Sequence, residues 1–438
     1  MFRKPYLTVL TLCLTVSFCY GQLSSKEEQV INAVDQYEKQ SRELLKKIVN
    51  INSGTMNVDG VREVGKVLVE EFEKLGMETY MTSGDDFGRA GHLVAKHDVK
   101  DGPRILMIGH LDTVFEPDSP FQEYVMKNDS IMNGPGVADM KGGDVIILLT
   151  LRALKEAGLL DKMSVRVVMT GDEERSGSPL ALSKKELTDA ADWADVALGF
   201  ENADGKRETI VTSRRGSTGW TLKVKGNAAH SSQVFTEKVG TGAIYEASRI
   251  LSAFYDTLSK EENLTFNPGV ILGGTSVIYD DGKSGGAAFG KSNVVAQEVI
   301  AKGDIRAVSQ EQLDMAKTTM QRIAAENYPG TLATLEFSPE GGYPPLAVTD
   351  GNRELLRIYN QASKDLGYGT VTAVNPRNAG AADVSFTAGR VKMAVDGLGL
   401  SGADDHTVRE TGNLNMLGVQ AKRAALLMAR LAAGNAWK

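Results

Sequence analysis

Residues 164–174 read Ser-Val-Arg-Val-Val-Met-Thr-Gly-Asp-Glu-Glu, an apolar run rich in β-branched side chains that ends at three acids. Two other apolar runs end in a similar way: residues 104–109 lead into His110, and residues 195–200 lead into Glu201. Such short runs are typical of buried strands, and helical patterns lie between them. Strands that alternate with helices predict an α/β fold with a mostly parallel sheet, and ligands bind such a sheet at the carboxyl ends of its strands.

Two more segments carry residue types that bind metals. Asp139 stands in the glycine-bracketed run Gly136-Val-Ala-Asp-Met-Lys-Gly-Gly143, and His406 follows two aspartates in a glycine-rich loop. Taken singly, each segment also fits a plain structural role, because Asp139 suits a helix N-cap and paired glutamates are common on solvated surfaces. The joint occurrence of five such segments favours one shared site, in which histidines and carboxylates bind a pair of zinc ions.

The residue types within these segments suggest different roles. Asp112 lies two residues after His110, where a carboxylate can accept the second ring N–H of a metal-bound histidine. Asp139 can bridge two cations, since a carboxylate has two oxygens. Glu173 and Glu174 are adjacent after a strand, so their side chains diverge. One of them can bind metal while the other faces water as a general base.

The sequence pattern changes after about residue 213. The order of elements becomes β-α-β-β-α-β, which predicts an inserted ferredoxin-like domain. Its strands are expected at residues 218–225, 269–279, 293–304 and 331–337, and its helices at residues 240–258 and 309–327. Residues 280–290 are rich in glycine and are predicted to be a flexible hairpin loop. We therefore predict a catalytic domain built from residues 22–214 and 343–438, interrupted by an inserted domain at residues 215–342.

The N-terminus, residues 1–21, has the plan of a secretory signal peptide, with two cations before an apolar stretch too short to span a bilayer comfortably. An uncleaved membrane anchor is the alternative, and a lipoprotein signal is disfavoured because bulky Phe18 precedes Cys19. Both cysteines, Cys13 and Cys19, lie in this segment. We expect a periplasmic or secreted protein with no stable membrane insertion after processing, and a metal site built without thiolates.

Composition excludes some other functions. The formal net charge is −7 and no basic run is present, which argues against a nucleic-acid partner. We interpret His92 and His97 as ordinary surface or strand-end residues.

Taken together, these segments resemble the co-catalytic zinc exopeptidase family that includes bacterial glutamate carboxypeptidases, aminoacylases, acetylornithine deacetylases and succinyl-diaminopimelate desuccinylases. The resemblance extends from about residue 30 to 430. It implies that one zinc is held by His110 and Glu201, the other by Glu174 and His406, with Asp139 as the bridge, Glu173 as the general base and Asp112 orienting His110.

The resemblance also assigns roles to the inserted domain, as a lid and dimerisation domain. His230 matches a histidine that reaches the scissile carbonyl across a homodimer. Asn293 and Arg306 match a pair that lines the same pocket, with Arg306 binding the substrate carboxylate. The run Asn378-Ala-Gly-Ala-Ala-Asp383 departs from the family pattern, because a hydroxyl residue is missing. This departure weakens the transfer of exact substrate preference.

The sequence therefore predicts a di-zinc metallopeptidase acting on a peptide or N-acyl amino acid with a free C-terminal carboxylate. In this family a glutamate at the position of Glu201 accompanies carboxypeptidase or deacylase action, which favours a glutamate carboxypeptidase type. An N-acyl-amino-acid deacylase or dipeptidase is the alternative, and cobalt or manganese can replace zinc. An inactive binding protein and a purely structural zinc protein are disfavoured, because the ligands and the spare Glu173 are all present.

Overall fold

The computed structural model describes residues 23–339, 342–434 and 436–437. The predicted signal peptide, residues 1–21, lies outside these ranges. Within them, no helix is both long enough and apolar enough to cross a bilayer.

The first part of the chain alternates helices with strands, as the apolar runs predict. Its first helix begins at a capping box, in which Ser24 and Glu27 satisfy each other's backbone N–H groups. The helices are α1 (Ser25–Val49), α2 (Val58–Lys74), α3 (Gly142–Glu156), α4 (Leu180–Ser183) and α5 (Lys185–Trp193). The strands are β1 (Glu78–Met81), β2 (Leu93–His97), β3 (Arg104–His110), β4 (Val125–Met126), β5 (Ile131–Asn133), β6 (Ser164–Thr170), β7 (Val196–Gly199) and β8 (Thr209–Ile210).

The last part of the chain returns to the same domain. Its elements are α8 (Asp350–Asp365), β15 (Thr372–Ala373), β16 (Met393–Val395), β17 (Gly402–Ala403), β18 (Thr411–Asn413) and α9 (Asn415–Ala433). The main sheet has six strands in the order β1-β2-β6-β3-β7-β16. Strands β6, β3, β7 and β16 are parallel, whereas β1 and β2 pair antiparallel at one edge.

Apolar side chains cover both faces of this sheet. Ile105 and Met107 of β3 belong to a large cluster that also takes in α1, α2, α3, α8 and α9. The alternate residues Leu106 and Ile108 belong to a second cluster with α5 on the other face. Because both faces are buried, the strands read as continuous apolar runs. The predicted α/β fold class with a mostly parallel sheet is confirmed.

The inserted domain occupies the middle of the chain and has its own apolar core. Its elements are β9 (Gly216–Gly226), α6 (Ala243–Leu258), β10 (Thr265–Gly274), β11 (Ser276–Asp280), β12 (Gly285–Phe289), β13 (Glu298–Ala307), α7 (Gln310–Ala325) and β14 (Thr331–Phe337). Four of its strands form an antiparallel sheet in the order β10-β13-β9-β14. This is the strand order of a ferredoxin-like unit, with β10 and β14 at the two edges.

The hairpin predicted at residues 280–290 is present, but more of it is strand than predicted: residues 285–289 make strand β12, which pairs in register with β11. The predicted strand at residues 269–279 is accordingly divided between β10 and β11. The sequence Asp280-Asp-Gly-Lys283 is a turn signal, and the alternation of Val277 and Tyr279 before it is typical of a hairpin.

Candidate metal centre

Three neighbouring strands bring metal-binding residue types to one edge of the main sheet. His110 is the last residue of β3, Glu174 follows β6, and Glu201 follows β7. These strands are adjacent and parallel in the order β6-β3-β7. Their carboxyl ends therefore lie side by side, and the three side chains meet there.

The other two candidate ligands come from loops. Asp139 lies in the turn before α3, and the carboxylate of Glu410 accepts hydrogen bonds from the backbone N–H groups of Gly136 (3.2 Å), Ala138 (2.9 Å) and Asp139 (3.2 Å). His406 lies four residues before Glu410 in the sequence and has a left-handed φ of 58°. One loop thus supplies the second histidine and also holds the backbone that carries Asp139.

The five candidate ligands form two groups that share Asp139. In the first group, Nε2 of His110 lies 3.1 Å from Oδ1 of Asp139 and 3.4 Å from Oε1 of Glu201. In the second, Nε2 of His406 lies 2.9 Å from Oδ2 of Asp139 and 3.1 Å from Oε2 of Glu174. The donor atoms of each group lie within 4.8 Å of one another. Each group thus uses a different oxygen of the shared carboxylate.

The electrostatics of these groups fit a pair of divalent cations. Burial, reinforced by the charge of Asp139, raises the pKa of Glu174 and brings that of Glu201 to about 7. Hydrogen bonds to Asp139 and Glu174 raise the pKa of His406 to about 11. Burial lowers the pKa of His110, but hydrogen bonds to the surrounding carboxylates raise it well above its usual value. Protons on the two histidines thus balance part of the negative charge of the carboxylates. Two bound cations would balance that charge instead.

One donor atom also indicates an open ligand position. Oε1 of Glu174 is buried and has no hydrogen-bond partner among the described residues. A buried carboxylate oxygen without a partner is costly unless a cation or water occupies the space beside it. The donor set of imidazoles and carboxylates therefore fits two metal ions with zinc-like preferences.

Glu173 stands next to these groups but belongs to neither. Desolvation by burial raises its pKa well above the usual value for a glutamate. Its backbone N–H donates to Oδ1 of Asp112 (3.0 Å), and the N–H of Glu174 donates to Oδ2 (3.2 Å), which also accepts the hydroxyl of Thr55 (2.7 Å). Nδ1 of His110 is 3.0 Å from the backbone oxygen of Asp112 and 3.5 Å from its carboxylate. Asp112 thus contacts His110 mainly through its carbonyl, and its carboxylate orders the two glutamates.

Comparison with known proteins agrees with this geometry. Residues 106–430 match the model of a family described as peptidase family M20/M25/M40, a span that contains all five candidate ligands. The chain belongs to this family. The family resemblance predicted from the sequence is thereby confirmed.

Several M20 proteins are similar to the chain over nearly its whole length. Carboxypeptidase G2 of Pseudomonas sp. (strain RS-16) is 26% identical over 439 residues, which cover 98% of each chain. Aminopeptidase PepT from Bacillus cereus superposes with a TM-score of 0.71 at 20% identity, covering 90% of this chain and 99% of its own. A Bacillus subtilis protein described as a dinuclear metal-binding M20 peptidase gives a TM-score of 0.63 at 17% identity, covering 91% and 99%. The chain is thus a metallopeptidase-family hydrolase, and membership alone does not fix the bond it cleaves.

Behind the ligands of this M20 peptidase lie buried ion pairs that the sequence did not reveal. Nε of Arg214 donates to Oδ2 of Asp396 at 2.8 Å, and the two side chains are 7% and 1% exposed. Oδ1 of Asp396 accepts the backbone N–H of Glu201 (3.1 Å) and of Gly397 (2.7 Å). This ion pair therefore fixes the backbone of the candidate ligand Glu201.

A second buried group lies under the turn that carries Glu173. Nζ of Lys184 is 3.0 Å from Oδ1 of Asp172. His92 lies directly before β2, as expected at a strand end, but it is 2% exposed rather than on the surface. Its Nδ1 accepts the N–H of Gly171 (3.2 Å) and its Nε2 lies 2.8 Å from the carbonyl of Ser183. Burial lowers the pKa of His92, so the neutral ring serves as a structural link.

Three guanidinium groups gather where the inserted domain meets the catalytic domain. Nε of Arg306 is 2.8 Å from Oδ2 of Asp304, and its Nη1 would lie 3.9 Å from a Cβ placed on Gly380. Arg215 donates to the backbone carbonyl of Arg377 at 2.9 Å. Burial, and then the charges of Arg306 and Arg377, lower the pKa of Arg215.

The structure does not bring His230 and Asn293 to this cluster within one chain. They are neighbours, because the segments around them pair at Val294 and the N–H of Ser231 donates to the carbonyl of Asn293 at 2.9 Å. His230 lies after the last residue of β9 and Asn293 before the first residue of β13, whereas Arg306 pairs with Ser217 near the start of β9. At 3.3 Å per residue, about 30 Å of strand separates the two positions.

Proposed function

We propose that this protein is a two-metal carboxypeptidase, which hydrolyses the amide bond next to a C-terminal amino acid. The observation that carries the proposal is the position of Glu173, beside two ligand groups that share Asp139 and outside both of them. A purely structural metal site has no use for such a carboxylate. A hydrolytic site requires one, to accept a proton from water.

In this proposal His110, Asp139, Glu174, Glu201 and His406 are the metal ligands. When bound, two divalent cations would polarise the substrate carbonyl and acidify a water molecule. Glu173 takes the proton of the attacking water as the new C–O bond forms. It then returns this proton to the nitrogen of the leaving amine as the C–N bond breaks. Asp112 keeps Glu173 in place by accepting its backbone N–H at 3.0 Å.

The guanidinium cluster supports a substrate with a free C-terminal carboxylate. Arg306 is partly exposed and can bind a carboxylate with two parallel hydrogen bonds. Arg215 and Arg377 add positive charge beside it, which favours an acidic C-terminal residue such as glutamate. The 26% identity to carboxypeptidase G2 over 98% of both chains supports this assignment. An N-acyl-amino-acid deacylase or a dipeptidase, using the same residues, is the alternative.

The distance between Arg306 and His230 supports a homodimer. If His230 stabilises the scissile carbonyl and Asn293 lines the pocket, both must come from a second copy, because one chain holds them about 30 Å of strand away from Arg306. Strand β10 is an open edge of the inserted sheet, and its Ile271 is 53% exposed. Pairing of two such edges is a common route to a dimer.

The dimer is tested by placing a charge on one of the two edges. We expect Ile271→Lys to convert a dimer into a monomer in sedimentation experiments, with loss of turnover and unchanged metal content. Leu332→Lys is the matched control, because Leu332 is 59% exposed on β14, the opposite edge. A monomeric wild type, or equal effects of both changes, contradicts the arrangement.

We further propose zinc as the native metal and the periplasm or the exterior as the location. The first follows from the imidazole and carboxylate donor set, which cobalt or manganese also fits. The second rests on the signal-like residues 1–21. Metal analysis of the protein from its native host, and fractionation of the cells, test the two statements separately.

The substrate class is tested with matched peptides. We expect hydrolysis of acyl-peptides that end in glutamate, at least about 10-fold lower kcat/KM for glutamine in that position, and a larger loss for C-terminal amides. Arg215→Met is expected to remove most of the difference between glutamate and glutamine, whereas Arg322→Met, at an exposed arginine of the same domain, leaves it intact. Equal rates on free and amidated C-termini refute the role of Arg306.

The base is tested by comparing two adjacent glutamates. We expect Glu173→Gln to lower kcat by about 10²–10⁴-fold while two metal ions stay bound. Glu174→Gln is the matched change in a proposed ligand, and we expect it to lower the metal content. Near-normal turnover of the Glu173→Gln variant with both metals bound would show that Glu173 is not the general base.

A further inference from the structure

Two loops at the candidate metal centre contain backbone conformations that residues other than glycine rarely adopt. His406 has a φ of 58° and Asp404 has a φ of 61°, and both lie in the 404–410 loop between β17 and β18. Ala203, two residues after the candidate ligand Glu201, has a φ of 59°. Such conformations persist only where the surrounding structure holds them. The contacts that hold these two loops therefore bear on the ligands that the loops carry.

The position of His406 depends on its loop far more than that of the other candidate histidine. His110 is the last residue of strand β3 and its side chain is 1% exposed, whereas the side chain of His406 is 55% exposed. Pairing between β17 and β18 fixes only the base of the 404–410 loop. A contact between the tip of this loop and a better-held segment therefore helps to determine where the imidazole of His406 lies.

One hydrogen bond makes such a contact. Nδ2 of Asn202 donates to Oδ2 of Asp405 at 2.6 Å, although the two residues are 203 positions apart in the sequence. Asn202 directly follows the candidate ligand Glu201, and Asp405 directly precedes His406. Oδ1 of Asp405 is buried and has no hydrogen-bond partner among the described residues, so the contact with Asn202 is made through the other oxygen. The bond thus links a segment that carries a ligand of the first group to a loop that carries a ligand of the second.

Backbone contacts hold the segment from which Asn202 extends. The N–H of Gly399 donates to the carbonyl of Glu201 at 2.9 Å, and the N–H of Gly205 donates to the carbonyl of Asn202 at 3.0 Å. Gly205 has a φ of 76°, and a Cβ on it would lie 2.3 Å from the carbonyl oxygen of Gly402, at the start of β17. Asn202 is therefore held between the end of β7 and the start of β17, and its amide contacts the more exposed loop from a fixed position.

We propose that Asn202 is a positioning residue for His406, to which it is linked through Asp405. It thereby sets the affinity of the metal ion that His406 and Glu174 bind. The inference rests on the ligand assignment of the proposed function. The other metal ion has ligands at the ends of β3 and β7, so we expect its affinity to change little when the hydrogen bond is lost. Groups that orient metal ligands without binding the metal change its affinity by about 10–100-fold.

The test is a titration of the metal-free full chain with zinc, in competition with a chelator, which resolves two binding steps. We expect Asn202→Ala to weaken one step about 10-fold and to change the other less than twofold. The weakened step should be the one that is lost in the ligand variant Glu174→Gln. Arg409→Met is the matched control, because it removes an exposed contact of the same loop, 3.6 Å from Asp404, and should leave both steps unchanged. Two unchanged steps in Asn202→Ala overturn the proposal.

A double-mutant cycle separates this link from a general disturbance of the loop. Asp405→Ala removes the same hydrogen bond from its other side, so we expect Asn202→Ala to have little further effect on the weakened step in that background. The charge of Asp405 is absent from both arms of this comparison and does not affect it. An equal 10-fold effect of Asn202→Ala in both backgrounds, or equal weakening of both zinc steps, contradicts the link. Failure of the proposed metal centre is recognised separately, by a wild type that binds fewer than two zinc ions.

Discussion

Replacement of Arg214 by methionine leaves the carboxylate of Asp396 buried without its cation. The two side chains are 7% and 1% exposed and 2.8 Å apart, so solvent cannot replace the missing partner. Breaking a buried ion pair on one side costs about 3–5 kcal/mol, and we expect Arg214→Met to destabilise the catalytic domain by that amount. Asp396→Asn, which leaves the guanidinium unpaired, is expected to cost a similar amount.

The double variant Arg214→Met with Asp396→Asn removes both charges. Its amide oxygen can still accept the N–H of Glu201 and of Gly397, which Oδ1 of Asp396 accepts in the wild type. We therefore expect the double variant to be more stable than the sum of the single changes predicts, by about 2–3 kcal/mol.

Because the two domains have separate cores, the measurement must resolve them. Native-state hydrogen exchange at β3 and β7 reports the free energy of unfolding of the catalytic domain. The matched control is Arg390→Met, which breaks a solvent-exposed pair with Asp192, at 2.7 Å, and is expected to cost at most about 1 kcal/mol. Equal losses for Arg214→Met and Arg390→Met would refute the reasoning.

Three other changes have expected outcomes. Glu410→Gln weakens the acceptor of three backbone N–H groups around Asp139, so we expect zinc affinity to fall about 10-fold in chelator competition, and an unchanged affinity contradicts its role. Folding lowers the pKa of His92 below its ordinary 6.5, so the unfolded chain binds a proton at a higher pH than the folded chain does. The contribution of the neutral ring to the free energy of unfolding is therefore full above pH 6.5 and declines as the pH falls towards the folded pKa. We expect the melting temperature of His92→Gln to fall less between pH 7 and 5 than that of the wild type or of the control His97→Gln, and parallel curves contradict this. Chelation should lower the melting temperature and added zinc restore it, and no shift in either direction argues against bound metal.

The sequence was sufficient to predict the main sheet and the convergence of metal-binding side chains at its edge. Apolar runs such as residues 164–170 predict strands locally, and parallel strands place their carboxyl ends together whatever the loops do. The convergence of His110, Glu174 and Glu201 therefore follows from the strand pattern of the sequence alone. Asp139 and His406 meet them only because of the conformation of their loops, which no periodic pattern in the sequence predicts.

The buried partners could not be predicted in this way. Arg214 and Asp396 are 182 positions apart, and neither is part of a periodic pattern that indicates burial of a charge. Lys184 precedes Lys185 and looks like one of two surface cations, yet it is 2% exposed and the next residue is exposed. Such pairs depend on which segments the fold brings together. Local preferences for helix or strand do not predict that contact. The β11–β12 hairpin is different, because its turn signal is present in the sequence and predicts a hairpin; only the extent of strand β12 goes beyond that prediction.

The separation of His230 from Arg306 has a genetic consequence. If each active site takes Arg306 from one chain and His230 from the other, two inactive variants can complement each other. A mixed dimer of His230→Ala and Arg306→Ala chains contains one site that lacks both side chains and one site that is intact. Random reassociation of equal amounts should restore about one quarter of the wild-type sites, whereas neither variant alone recovers any. The activity recovered by mixing the two inactive variants would then show that two subunits contribute to each site.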